Sequence, residues 1–419
     1  MGDRIYMLLF ISAILLIIDF YIYRSIGSIF FKSNTRKHQI VRNLFWLYSI
    51  LLIASVFLSI YFNIRLMVRA IILVAFFLTF VSKIFFLLFL LTDDLRRGLI
   101  WIKRKFLHTK LGLKNPQQQT ETTIPRSEFL LKAGLVVAAI PLASLSYGIV
   151  SGAYDYKVTR RTLILPNLPS SFEGLILAQI SDIHSGSFYN QKAVLGGVEL
   201  LLSQKPDLIF FTGDLVNNLA SEMRDYQDIF KKVQAPLGVF SVLGNHDYGD
   251  YYFGKDPSPA KAKNLKNVIS THKNLGWDLL MNENRVLKIN GQEIAVIGIE
   301  NWGSGRFVRH GRLDLAVKNT EDMAIKLLLS HDPSHWRAQV LPEFPQIDAM
   351  FSGHTHGMQF GVQTEKFKWS PVQYIYPEWS GFYKEQNQQL YVNVGYGFLG
   401  YPGRVGIQPE ITIFELRRS

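Results

Sequence analysis

The sequence contains no cysteine, and only 33 of its 419 residues are acidic. A chain without cysteine has no disulfide framework, no thiolate metal site and no cysteine nucleophile. Charged residues make up 19% of the chain and apolar residues 48%, which excludes an intrinsically disordered protein. The net charge of +12 would suit a nucleic-acid-binding protein, but the surplus is local. Residues 1–150 hold 18 basic and 6 acidic residues, whereas residues 151–419 hold 27 of each, so no nucleic-acid partner is expected.

Four long apolar segments occupy the N-terminal third, at residues 5–23, 44–62, 70–91 and 129–150. Each has about the 20 residues that a helix needs to cross the hydrocarbon core of a bilayer. Their only charges are Asp19, Lys83 and Lys132, whereas core helices of a soluble domain usually carry a polar face. We therefore predict a membrane domain over residues 1–153 with about four spans. The fourth is the weakest of them, because it contains Lys132 and Pro141.

The loops between these segments differ in basic content. Five Lys and Arg lie between the first and second segments, two between the second and third, and eight after the third. The positive-inside rule then predicts that the first loop and a basic linker over residues 93–128 are cytoplasmic. The fourth span would carry residues 158–419 to the extracytoplasmic side of the plasma (inner) membrane of a bacterium. Without that span, the C-terminal domain would be cytoplasmic.

Beyond residue 158 the pattern changes to short apolar runs that end in polar clusters. The runs cover residues 175–180, 208–211, 239–243, 294–299, 325–329 and 349–351. Runs of this length, rich in Ile, Val, Leu and Phe, are typical of buried strands, and more polar helical segments lie between several of them. They predict a layered α/β domain, in which ligands gather outside the carboxyl ends of the strands.

The polar clusters supply potential metal ligands after five of the six runs. In chain order they are Asp182 and His184, Asp214, Asn245 with His246 and Asp247, His331, and His354 with His356. Taken singly, His331 would suit a loop histidine, Asp182 a helix cap and Asp214 a turn. Taken together, the ordered set Asp-x-His, Gly-Asp, Gly-Asn-His-Asp, His and Gly-His-x-His resembles the signature of the calcineurin-like metallophosphoesterases over residues 170–419.

This resemblance implies a four-layer α/β/β/α sandwich and two divalent metal ions, for which nitrogen and oxygen ligands suit Mn, Fe or Zn. It assigns Asp182, His184, Asp214 and His356 to the first metal. Asp214 would bridge to the second metal, which also takes Asn245, His331 and His354. The reaction it implies is attack of metal-bound hydroxide on a phosphate. His246 would stabilise charge or protonate the leaving oxygen, with Asp247 either orienting it or capping a helix.

Three further residues attract attention near these motifs. Asn217 follows Asp214 and would line the cleft or make a turn. Arg404 would contact a substrate phosphate or form a surface ion pair. The membrane-anchored branch that the sequence resembles usually has a second Gly after Gly-His-Thr-His-Gly, and here Met358 stands in its place.

The leading hypothesis is a membrane-anchored phosphoesterase that cleaves a phosphodiester or pyrophosphate. The resemblance includes hydrolases of UDP-2,3-diacylglucosamine in lipid A biosynthesis, so the expected substrate is a phosphorylated lipid or nucleotide-lipid. That substrate is made on the cytoplasmic face, so an extracytoplasmic cell-envelope phosphodiester fits the predicted topology better. A non-catalytic membrane sensor or scaffold of the same fold is one alternative. A transporter that uses Asp19 and Lys83 is another.

Overall fold

The computed structural model describes residues 2–30, 36–62, 66–111, 126–303, 305, 307–364 and 367–418. The chain divides into two compact units, residues 1–146 and residues 147–419. The boundary falls inside the fourth helix, whose last turn therefore belongs to the second unit.

Four long helices form the N-terminal part: α1 (Gly2–Phe30), α2 (Arg36–Tyr61), α3 (Leu66–Leu111) and α4 (Glu128–Val150). Within the described residues, all four are long and apolar enough to cross a membrane, with candidate spans Leu8–Gly27, His38–Tyr61, Ile71–Phe106 and Glu128–Tyr154. Asp19 and Lys83 do not stand alone in these helices, because Lys83 Nζ lies 2.6 Å from Asp19 Oδ1. Charged residues within apolar spans usually pair in this way, and the pair is compatible with an anchoring role.

The third helix extends into the basic segment over residues 93–128. α3 continues without a break through the basic segment to Leu111. Arg96 pairs with Asp93, and Arg97 pairs with Asp94, each at 2.9 Å and three residues apart. Such pairs stabilise a helix at this spacing, so the change from apolar to basic residues does not end it. Residues 112–125, which complete the expected linker, lie outside the described residues.

The second unit contains fourteen strands among its described residues. They are β1 (Lys157–Ile164), β2 (Ile176–Ile180), β3 (Leu208–Phe211), β4 (Val239–Ser241), β5 (Asp278–Leu279), β6 (Glu283–Ile289), β7 (Gln292–Gly298), β8 (Lys326–Leu329), β9 (Ala349–Ser352), β10 (Val362–Gln363), β11 (Lys368–Trp369), β12 (Gly381–Glu385), β13 (Gln388–Val392) and β14 (Glu410–Arg417). One six-stranded sheet has the order β1-β14-β2-β3-β4-β5, and the other has the order β12-β13-β9-β8-β7-β6. β10 and β11 form a separate antiparallel hairpin.

The two large sheets pack face to face between two layers of helices, which confirms the expected α/β sandwich. Phe210 of the first sheet and Phe351 of the second meet in the core between the sheets, with ring centroids 5.1 Å apart. The outer face of the first sheet packs on α5 (Gln191–Ser203), α6 (Gln227–Phe230) and α8 (Pro259–Leu275). The outer face of the second sheet packs on α9 (Leu313–Ala316), a π-helical turn (Trp336–Val340) and α10 (Leu341–Glu343). A short α7 (Asp250–Phe253) lies in the loop after β4.

This topology brings the polar clusters to one place. β2, β3 and β4 run parallel in the first sheet, and β8 runs parallel to β9 in the second. The loops after these five strands contain every one of the seven expected ligands. Because parallel neighbours end at the same edge, the ligands converge there.

Candidate metal centre

The backbone of the ligand loops adopts a conformation that non-glycine residues avoid. Five expected ligands have φ between 49° and 75°: Asp182, His184, Asp214, His354 and His356. Left-handed conformations cost energy in residues with a Cβ, and they collect at functional sites where surrounding contacts impose them. In these sharp turns each loop changes direction directly after its strand, so that the ligand side chain points across the strand ends.

The first ligand group consists of Asp182, His184 and His356, all buried, with ligand atoms within 4.8 Å of one another. His356 Nε2 lies 3.4 Å from Asp182 Oδ1. His184 Nε2 lies 3.4 Å from Asp214 Oδ2, which ties this group to the second one.

The second ligand group consists of Asp214, His331 and His354, within the same 4.8 Å limit. His331 Nε2 lies 3.2 Å from Asp214 Oδ2, and its Nδ1 donates to the carbonyl of Thr212 at 2.7 Å. His354 Nδ1 lies 2.9 Å from Asn245 Oδ1, so the expected amide ligand joins this group. Asp214 Oδ2 therefore stands between the two histidine groups, as a bridging carboxylate must.

The donor set fits two divalent cations. The Nε2 atoms of His184 and His356 are buried and have no hydrogen-bond partner among the described residues. A buried nitrogen without a hydrogen-bond partner costs free energy, and a bound cation would supply the missing partner. Burial alone would lower the pKa of His331, but the Asp214 carboxylate raises it to about 10, so this imidazole holds a proton where a metal ion would bind. Burial disfavours the charge on Asp214 as well, yet His331 and His246 hold the pKa of that carboxyl well below its usual range.

Asn217 holds the ligand His184 in place through its side chain. Its Oδ1 accepts a hydrogen bond from His184 Nδ1 at 3.2 Å and one from Ser187 Oγ at 3.2 Å. This bond fixes the proton of His184 on Nδ1 and leaves Nε2 for a metal. The backbone N–H of Asn217 donates to Glu222 Oε2 at 2.6 Å, so the loop itself is anchored.

His246 is held over the site by the main chain. Its Nδ1 donates to the Asn217 carbonyl at 2.7 Å, and its backbone N–H donates to Asp214 Oδ1 at 2.8 Å. The Tyr251 ring stacks on it with centroids 4.5 Å apart. Burial lowers the pKa of His246 to about 4, although the Asp214 charge opposes this shift. His246 is therefore neutral at pH 7 before a phosphate arrives.

Asp247 binds backbone N–H groups, as a capping carboxylate does, and its hydrogen bonds go to the ligand loops. Asp247 Oδ2 accepts from the backbone N–H groups of Asp214 and Gly244, and Oδ1 accepts from those of Leu215 and Val216, at 2.9–3.2 Å. Its carboxylate thus ties together the two loops that follow β3 and β4. Burial and the nearby Asp214 charge raise the pKa of Asp247 to about 7, against the effect of the backbone donors.

Arg404 does not form the surface ion pair that was one of its two expected roles, because the residue is only 2% exposed. Its guanidinium donates to the carbonyls of Val394, Gly395 and Gly397 at 2.5–3.2 Å. One guanidinium nitrogen lies 3.4 Å from His356 Nδ1. Arg404 therefore braces the loop behind His356.

Two further residues support the ligands but belong to no sequence motif, so the sequence did not predict them. Tyr376 places its hydroxyl 2.8 Å from His354 Nε2, and Glu222 supports the Asn217 loop. Tyr376 lies in an aromatic-rich stretch, but this composition is equally typical of a core.

The comparisons with known proteins agree with this geometry. Residues 176–358 match the family model of the calcineurin-like phosphoesterases. Residues 4–153 match a model described as "Probable Calcineurin-like phosphoesterase, transmembrane domain". The uncharacterized metallophosphoesterase YkuE of Bacillus subtilis is 27% identical over 268 residues, which are 63% of this chain and 86% of that protein. The transmembrane protein with metallophosphoesterase domain of Danio rerio is 27% identical over 293 residues, 68% of this chain and 63% of that protein. Phosphodiesterase YaeI of Escherichia coli is 24% identical over 241 residues, 57% of this chain and 80% of that protein.

The sandwich fold, the two ligand groups and these matches define a metal-dependent phosphoric ester hydrolase. The chain belongs to the calcineurin-like metallophosphoesterases, in a form whose catalytic domain follows four apolar helices.

Proposed function

We propose that this protein hydrolyses a phosphodiester or pyrophosphate of a lipid-linked or cell-envelope substrate with two divalent ions, Mn, Fe or Zn. The observation that carries the reaction class is Asp214, whose Oδ2 lies 3.4 Å from His184 Nε2 and 3.2 Å from His331 Nε2. A carboxylate between two histidine groups suits a pair of cations that share one ligand. Bound there, the ions would activate water and neutralise the charge of a phosphate.

The chain's own residues account for orientation and proton transfer. Asn217 keeps His184 in one tautomer, and its carbonyl keeps the proton of neutral His246 on Nδ1. A phosphate oxygen beside His246 would raise its pKa from about 4, because negative charge favours the imidazolium. His246 would then pass a proton to the leaving oxygen.

The substrate proposal rests on tethering and charge. A catalytic domain fixed to a bilayer by four spans meets lipid-linked phosphates at high local concentration. The relative in Escherichia coli is named a phosphodiesterase, which favours a diester over a monoester. The even balance of 27 basic and 27 acidic residues in residues 151–419 argues against a polyanionic substrate.

The test of the reaction is hydrolysis of bis-p-nitrophenyl phosphate by the full chain in detergent with Mn²⁺. We expect turnover by the wild type and none by Asp214→Ala. Asp225→Ala is the matched control, because this exposed carboxylate lies outside both ligand groups. Wild-type activity no higher than that of Asp214→Ala would refute the proposal.

The loop charges support an extracytoplasmic catalytic domain at the plasma membrane. Because the chain has no cysteine, Ser203→Cys on α5 introduces a single exposed thiol into the domain. An impermeant maleimide should label it in intact cells. Labelling only after lysis would place the domain in the cytoplasm and favour the UDP-linked lipid instead.

A further inference from the structure

Exposed apolar side chains are concentrated in one segment of the second unit, residues 358–375. Its members, which we call the apolar hairpin surface, are Met358, Phe360, Val362, Phe367, Tyr374 and Ile375, with exposed fractions of 42–77%. They surround the two-stranded hairpin of β10 and β11. A contiguous set of large exposed apolar residues marks a docking surface more often than chance.

The surface is held in place by defined contacts. Ser370 Oγ donates to the Gly357 carbonyl at 2.8 Å, and the Gly361 N–H donates to the Val405 carbonyl at 2.9 Å. Met358 has φ of 53° and is 50% exposed. Met358 therefore has a strained backbone conformation, and its side chain is half exposed.

This surface is connected through residues 401–405 to the last turn of α4, the part of that helix that belongs to the second unit. The Arg404 N–H donates to the carbonyl of Gly148, in the last turn of α4, at 3.2 Å. A Cβ at Gly152 would collide with the Arg404 carbonyl, so the chain after α4 lies close against residues 401–405. The other side of that loop contacts the start of the hairpin, because the Gln359 side chain donates to the carbonyls of Tyr401 and Gly403 at 2.7 Å and 3.0 Å.

Hydropathy places this end of α4 at a bilayer surface, since the candidate span runs from Glu128 to Tyr154. Tyr147 and Val150 at the helix end are 67% and 86% exposed. Residues 401–405 therefore contact both the start of the hairpin and the end of a candidate membrane span. Aromatic side chains such as those of Phe367 and Tyr374 commonly enter the interfacial layer of a membrane.

We propose that the apolar hairpin surface inserts into the interfacial layer of the same bilayer that α4 crosses, to a depth of roughly 5–10 Å. The metal centre adjoins this surface directly. The hairpin follows His356 in the chain, and Tyr376 at its far end contacts His354 at 2.8 Å. Insertion holds the centre at the lipid headgroups, where it meets phosphates presented by the membrane. The insertion itself does not depend on the proposed substrate.

The absence of cysteine allows a direct test in the full chain reconstituted into phosphatidylcholine–phosphatidylglycerol vesicles. Phe367→Cys and Tyr374→Cys would each receive an environment-sensitive dye, and lipids with a nitroxide on the acyl chain would serve as quenchers. The matched controls are Val286→Cys on β6 and Leu315→Cys on α9, which replace apolar residues that are also exposed, at 45% and 39%. We expect blue-shifted, quenched emission at positions 367 and 374 and unquenched emission at positions 286 and 315.

Quenching at position 367 no stronger than at position 286 would overturn the proposal, because a protein partner or a second copy would then cover the hairpin. Equal quenching at all four positions would overturn it as well, since the contact would not be specific to this surface. The readout does not involve turnover, so it stands apart from the test with bis-p-nitrophenyl phosphate. A result positive here and negative there would retain the docking surface and reject the proposed reaction.

Discussion

Replacing Asn217 with alanine separates metal positioning from substrate binding. The change removes the Oδ1 that accepts from His184 Nδ1 at 3.2 Å. It keeps the backbone carbonyl that accepts from His246 Nδ1, so the proton-transfer group stays in position. His184 then loses the bond that selects its tautomer and presents Nε2 to a metal ion.

The magnitude follows from how such supporting bonds act elsewhere. Loss of a hydrogen-bond partner of a ligating histidine typically weakens metal affinity about 10–100-fold, or about 1.4–2.7 kcal/mol. We therefore expect the Mn²⁺ concentration for half-maximal activity of Asn217→Ala to rise by about this factor. At saturating Mn²⁺, kcat and KM should return close to the wild-type values.

The assay is turnover of bis-p-nitrophenyl phosphate against buffered Mn²⁺, together with metal content after dialysis. Asn218→Ala is the matched control, because its side-chain Oδ1 has no hydrogen-bond partner among the described residues. The reasoning fails if Asn217→Ala shows an unchanged Mn²⁺ requirement and a raised KM. That pattern would mean that Asn217 contacts the substrate.

Three further changes test the remaining assignments. Asp247→Asn should strand two of its four backbone donors at about 1–3 kcal/mol each and lower metal content, whereas an effect on kcat alone would restore its role as the partner of His246. Arg404→Gln should lower the melting temperature, because a buried guanidinium with several carbonyl partners is lost, and an unchanged melting temperature with a raised KM would contradict this. Burial lowers the pKa of His272 to about 3 in the folded protein, whereas a histidine of the unfolded chain has a pKa of about 6.5. As the pH falls from 6.5 towards 3, the unfolded chain binds a proton that the folded protein does not, so the free energy of unfolding decreases. His272→Gln should therefore reduce the loss of unfolding free energy between pH 7 and pH 5 by about 2 kcal/mol, and a melting curve with the wild-type pH dependence would refute this.

Several features of the fold and the site were accessible from sequence because they depend on local chemistry. Apolar runs of about 20 residues indicate spans wherever they stand, since lipid imposes the same requirement on each of them. Ligand types after short β runs indicate a metal site, because the carboxyl ends of parallel strands meet. The structure brings all seven expected ligands, from Asp182 to His356, to that edge.

The remaining features required coordinates, because they depend on which backbone groups come near a side chain. Asp247 follows His246 in the chain, yet its carboxylate binds four backbone N–H groups of two loops. Arg404 is far from the motifs in sequence, and only the packing of residues 394–397 buries it behind His356. No residue pattern distinguishes these positions from a turn or a surface charge.

The sequence by itself predicted the four apolar helices, the class of enzyme and the candidate ligands, since each prediction follows from residue type and order. Only the tertiary structure decided which residues support those ligands and which surface lies beside them. Support and adjacency arise between segments that are distant in sequence: Gly148 contacts Arg404, and the hairpin after His356 contacts the 401–405 loop about 40 residues further on. Contacts of that kind depend on how the chain packs, and they produce no periodic pattern in the local sequence from which they could be predicted.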